Sequence, residues 1–145
     1  MSARRRLAVL AATASVIVGT AVWDSPASTA TPARAAVTCQ GSTCSGQNPN
    51  TTGCASGNVR TLEDKSYFGR LIRLRYNPDC RAAWAQLISG IPSDSALVQN
   101  SQGLTYTSTI SSGSDTFTMM VDDMNLTARA CVTIQTVGQA CTGWH

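Results

Sequence analysis

Leu71-Ile72-Arg73-Leu74-Arg75-Tyr76-Asn77-Pro78-Asp79-Cys80-Arg81-Ala82-Ala83-Trp84-Ala85-Gln86-Leu87-Ile88 reads as two elements joined by a break. From Ile72 the apolar residues alternate with arginines, so a strand puts Ile72, Leu74 and Tyr76 on one side and Arg73 and Arg75 on the other. Asn77-Pro78-Asp79 interrupts it, because proline fixes its own φ and has no amide donor. Beyond the break, Cys80, Ala83, Trp84, Leu87 and Ile88 recur at three- and four-residue steps. With Asp79 as N-cap and Ser89-Gly90 as a stop, this spacing predicts a short helix with a buried face.

Working outward, the C-terminal half alternates strand-like runs with turn residues. Residues 96–98, 105–110, 116–121 and 130–135 are rich in Thr, Val, Ile and aromatics. The fold class expected is therefore mainly β, a small α+β arrangement. It would be a twisted antiparallel sheet or partly open barrel with one short helix laid on it and disulfides stabilising it. Towards the N-terminus, residues 36–57 are dominated by Gly, Ser, Thr, Asn, Gln and Cys and carry too few apolar side chains to order themselves by burial.

The first 35 residues read as a signal peptide: Arg4, Arg5 and Arg6, then an uncharged run from Leu7 to Trp23, then Ala33-Arg34-Ala35 as a small-residue cleavage site. A retained membrane anchor is the weaker reading, since the run is diluted by Ala, Ser, Thr and Gly and falls short of the roughly 20 residues needed to span a bilayer. The expected organisation is a leader over 1–35, a polar Cys-containing segment over 36–57 and a single globular domain over 58–145. Cleavage would leave a secreted, extracellular protein with no membrane association. The +3 charge of the whole chain then disappears. Seven basic residues (Arg60, Lys65, Arg70, Arg73, Arg75, Arg81, Arg129) face seven acidic ones (Glu63, Asp64, Asp79, Asp94, Asp115, Asp122, Asp123), which argues against a nucleic-acid partner.

All six cysteines (Cys39, Cys44, Cys54, Cys80, Cys131, Cys141) lie beyond the leader. An even count in a short exported chain implies disulfides, and the absence of any C-x-x-C pair or internal histidine argues against a metal site. Many pairings are open to six cysteines. Cys131 with Cys141 is favoured, because a turn near Gly138 can bring two strands together; Cys54 with Cys80 and Cys39 with Cys44 complete the set.

Catalytic chemistry finds little support. His145 is the only histidine and is the last residue, a poor partner for a nucleophilic serine. Oxidised cysteines supply no thiolate. Glu63-Asp64 and Asp122-Asp123 are the surviving acid–base candidates, but neighbours in a strand point to opposite faces. Asp122-Asp123-Met124-Asn125 lacks the spacing of a calcium loop, and Asn125-Leu126-Thr127 matches a glycosylation acceptor only as a short pattern. No cofactor is implied. Trp84 reads as a core anchor sooner than as a sugar platform. Arg70, Arg73 and Arg75 are candidate partner-binding residues, with an ordinary solvent face as the bland alternative.

Leu74-Arg75-Tyr76-Asn77-Pro78-Asp79-Cys80-Arg81-Ala82-Ala83-Trp84-Ala85, taken with Cys44-x-Gly46-x-x-Pro49 and Gly53-Cys54, resembles an actinobacterial exported domain of unknown function, number 2690. Asn77 stands where that family usually shows Ser. The resemblance implies a small Cys-containing exported or surface-displayed module and leaves its chemistry open. By elimination, the function expected is a secreted, non-enzymatic binding or adaptor module that docks another secreted protein. The alternatives are a protease inhibitor presenting the loop 89–94 or the loop 111–115, and a cell-wall or carbohydrate-binding protein using Trp84, Trp144 and the tyrosines.

Overall fold

The computed structural model describes residues 36–145; the leader expected over 1–35 lies outside the described residues. Among the described residues nine strands form two antiparallel sheets. In the first, β1 (Arg60–Tyr67), β2 (Arg70–Asn77) and β3 (Ala82–Ile88) lie in sequence order, with β6 (Thr116–Phe117) and β7 (Val121–Asp122) both pairing with β3. In the second, the order is β5 (Thr105–Thr109), β4 (Ser95–Asn100), β8 (Ala128–Ile134), β9 (Gly138–Cys141).

Alternation decides which face each residue takes. Ile72 and Leu74 of β2, Ala83, Ala85 and Leu87 of β3, Ala96 and Val98 of β4, and Ala128, Ala130, Val132 and Ile134 of β8 meet in one apolar cluster between the sheets. The sheets stay open and stack as a sandwich. Mainly β and antiparallel, as expected, the strands form two sheets that do not close into a barrel.

The predicted helix is the main correction. Ala82–Ile88 is the strand β3, paired with β2 from Leu71↔Ile88 to Asn77↔Ala82. Only a 3₁₀ turn, Gly41–Cys44, is helical among the described residues. Apolar residues fall on both sides of β3 because both sides are covered. Ala83, Ala85 and Leu87 face the sandwich core, whereas Ala82 and Trp84 face a second cluster with Cys44, Cys54, Cys80 and Met120. A strand buried on both faces loses its period-two signature.

That second cluster is roofed by the polar N-terminal segment, which is folded rather than loose. Gly46 donates its N–H to Met120 O at 2.9 Å and Gly41 to Cys80 O at 2.8 Å. Three disulfides join Cys39 to Cys44, Cys54 to Cys80 and Cys131 to Cys141, the connectivity favoured from sequence. The first closes a small loop within the segment, the second fastens the segment to the turn before β3, and the third links neighbouring strands β8 and β9 at the pair Cys131↔Cys141. Such bonds fit an oxidising, non-cytoplasmic setting. Among the described residues no helix is long and apolar enough to cross a membrane.

Candidate functional site

Asn77 organises the junction between sheet and roof. Fully buried, its amide donates to Cys54 O at 2.7 Å and Ser56 O at 3.0 Å, while its oxygen accepts from Asp79 N at 2.8 Å. The turn residue that ends β2 therefore also holds the incoming segment, a role its local sequence did not signal. Here Cys39 Sγ lies 3.8 Å from Cys54 Sγ, so the two bridges of the roof touch.

The three candidate arginines separate. Arg70 shares the parity of Ile72 and Leu74 and turns toward the edge of the sandwich, where its Nε donates to buried Asp94 Oδ2 at 2.8 Å. Arg73 and Arg75 share the outer face of the first sheet. Register then builds two rows across that face, Asp64–Arg73–Gln86–Phe117 and Thr61–Arg75–Trp84. Arg73 meets Asp64 at 3.2 Å. Arg75 has no carboxylate within ion-pair distance among the described residues and donates to Thr61 Oγ1 at 2.7 Å. Burial, and secondarily the Arg73 charge, push the Arg75 guanidinium below its usual range. Beside Arg75 lies a recess of about 300 Å³, lined by Trp84, Gln86 and Phe117 from the sheet and by Pro49, Asn50 and Ala55 from the roof. Trp84 is only 4 % exposed, so it serves as core anchor and presents only a rim to this space.

At one end of the sandwich the loops converge. Phe68-Gly69 makes the two-residue turn of the β1–β2 hairpin with φ of 47° and 78°. Positive φ at both central residues is the geometry that favours Asn-Gly, and a bulky side chain there is strained. Phe68 nevertheless leaves 66 % of its surface in solvent, touching Tyr67 edge-on at 4.9 Å between ring centroids. Arg70 ties this turn to the next loop, donating to Phe68 O at 2.9 Å as well as to Asp94. Asp94 Oδ2 also accepts the Ile91 N–H at 2.9 Å, and Ile91 is 55 % exposed. The loops 89–94 and 111–115 lie side by side, Gly90 N–H donating to Ser114 O at 2.7 Å. Across the sandwich, the Tyr67 hydroxyl abuts Gly138, next to exposed Val137.

Neither carboxylate doublet forms a converging pair. Asp64 lies on the outer face with Arg73, while Glu63 takes the C-terminal tail. It accepts from Gly143 N at 2.8 Å and bonds His145 Nε2 at 2.7 Å, and these bonds, His145 first, hold its carboxyl below the usual range. Trp144 stacks under Arg129, whose Cζ lies 4.6 Å from the ring centroid. Asp122 Oδ1 accepts Met124 N at 2.8 Å, and Asn125 Oδ1 accepts from Arg81 Nη2 at 3.1 Å. Asp123 is buried with Oδ1 unpartnered; burial first, then the neighbouring Asp122 carboxylate, push its acid up to about 7. A raised acid beside a second carboxylate is a pattern found in acid–base pairs, but the recess beside Arg75 does not reach it.

Comparison with curated proteins and with solved structures finds no match. A family model described as "Protein of unknown function (DUF2690)" matches residues 42–131, a span from the 3₁₀ turn through the middle of β8 that takes in the disulfide-tied roof and most of both sheets. The chain belongs to the DUF2690 family of proteins of unknown function.

Proposed function

We propose that this protein is a secreted, non-enzymatic binding module that docks another exported protein through the loop end of its sandwich. The observation that carries the reading is Phe68. A phenylalanine held in a left-handed turn and left mostly in water costs the fold stability twice, through backbone strain and unburied apolar surface. Ile91 and Val137 are exposed apolar residues in loops at the same end. The disulfides and the Arg70–Asp94 pair brace the strands and loops behind it, which lowers the entropy lost on association. Arg70, the cation nearest Phe68 in sequence, is engaged by Asp94 and adds little attraction to an anionic membrane, which favours a protein partner. Affinity capture from the culture medium of the source, with the natural chain and with Phe68→Asn, tests this. A partner retained by the first and lost by the second supports the proposal; equal recovery removes the loop end as the docking surface.

The exposed, Asp94-braced loop around Ile91 favours one second reading, a protease inhibitor. Inhibition of trypsin-, chymotrypsin- or subtilisin-type enzymes, lost on Ile91→Gly, would select it.

A further inference from the structure

We infer that the recess on the outer face of the first sheet is a binding site for an acidic sugar, a uronic-acid residue whose carboxylate meets Arg75. This site is on a different face from the loop end and does not depend on the adaptor proposal.

Three features specify the ligand. The first is charge. Of the two arginines on this face, Arg73 pairs directly with Asp64, whereas Arg75, half-buried, makes its hydrogen bond to a hydroxyl and feels Asp64 only beyond ion-pair distance. A guanidinium's fork matches a carboxylate with two parallel hydrogen bonds, and an incoming anion would offset the desolvation and the Arg73 repulsion that Arg75 now bears. Second, the side chains around it are of mixed character. Asn50 and Gln86 each offer an amide that both donates and accepts, which suits a ligand bearing several hydroxyls better than a bare fatty or aromatic acid. Neither side-chain amide makes a hydrogen bond in the structure to a described residue, so both are free to serve a ligand. The third feature is the apolar floor. Phe117 lies beside Gln86 in register, next to the Trp84 rim, and the C–H face of a pyranose packs on such a surface. At about 300 Å³ the recess takes one sugar ring.

The roof makes the site. Pro49, Asn50 and Ala55 form its far wall, and they are placed by the Cys54–Cys80 bridge and by the Asn77 bond to Cys54 O. A segment that looks like a solvated linker in sequence thus supplies three of the seven residues that line the pocket.

The test is titration of the folded, oxidised chain with tri-galacturonic acid, followed by calorimetry and by the amide NMR signals of Arg75, Gln86 and Phe117. Maltotriose, which is neutral, and a tri-glutamate peptide, which is acidic but not a sugar, are the comparison probes. The expected result is saturable binding of the uronate, localised to those signals, with neither comparison probe bound to the same extent. Arg75→Gln should weaken it roughly tenfold or more, the loss of a charge-assisted bond pair, while Arg73→Gln, whose charge already has a partner, should change it little. Asn50→Ala, in an exposed turn, should weaken it without touching the folding of the sheet. No saturable uronate binding would overturn the inference. So would equal binding of tri-glutamate, or affinity unchanged in both Arg75→Gln and Asn50→Ala.

Discussion

Replacing Asp123 by asparagine should make the protein more stable at neutral pH and leave it nearly unchanged in acid. In the folded chain the Asp123 acid keeps its proton up to about 7, against an ordinary value of 3.8. Between those limits the unfolded chain has released a proton that the folded chain retains, so rising pH favours unfolding. The stability associated with the protonated group is whole below about 4 and is lost as pH climbs through 7. Full linkage over that interval would give about 4 kcal/mol at about 1.4 kcal/mol per unit. Asp123 is buried with Oδ1 unpartnered, and relaxation around the charge together with the usual cost of one unsatisfied buried group sets the expected gain at about 1–2 kcal/mol. Urea unfolding of the natural chain and of Asp123→Asn at pH 4 and pH 8, read by tryptophan fluorescence, measures it. The variant should unfold at higher urea at pH 8 and at nearly the same urea at pH 4. An advantage equal at both pH values, or a natural chain that is the more stable at pH 8, would refute the account.

Three further outcomes follow from the packing. Asp94→Ala removes the acceptor shared by Arg70 and the Ile91 amide and should cost about 3–5 kcal/mol in urea unfolding, because it strands a largely buried guanidinium. Converting Cys54 and Cys80 together to Ala should cost about 1 kcal/mol more than converting Cys131 and Cys141, since the chain separations are 26 and 10 residues; equal losses would argue against the loop-entropy account. Phe68→Asn should hold or raise stability by up to about 1 kcal/mol, relieving a strained turn at the expense of one edge contact with Tyr67, and a clear fall in melting temperature would show that the ring packs in a way its exposure does not suggest.

What could be read from the residues depended on how many faces of an element were covered. β2 has one face in the core and one outside, so Ile72 and Leu74 against Arg73 and Arg75 announced a strand. β3 lies under the disulfide-tied segment on one side and over the sandwich core on the other. Its Ala-rich stretch therefore carried no period-two signal, and accidental three- and four-residue steps, together with alanine's helix propensity, pointed to a helix. β1 is a polar edge strand, Arg-Thr-Leu-Glu-Asp-Lys-Ser-Tyr, with no apolar stripe to expose it. Of the site, Arg73 and Arg75 were visible as a pair, but the turning away of Arg70 depends on Asp94, distant in sequence. The contributions of Asn50, Gln86 and Phe117 depend on cross-strand register and on the roof, which no local pattern encodes. Phe68-Gly69 was legible in principle, as a bulky residue before a glycine between two polar runs.

The loop enclosed by Cys54 and Cys80 contains the whole β1–β2 hairpin, including the exposed bond after Phe68. A secreted endopeptidase with a taste for aromatic residues would find its easiest cut there. The nicked molecule would nevertheless stay one covalent particle, its halves shackled through sulfur, and would come apart on a gel only after a thiol was added. A cut at the hairpin tip would thus leave the strands on either side of it in one molecule.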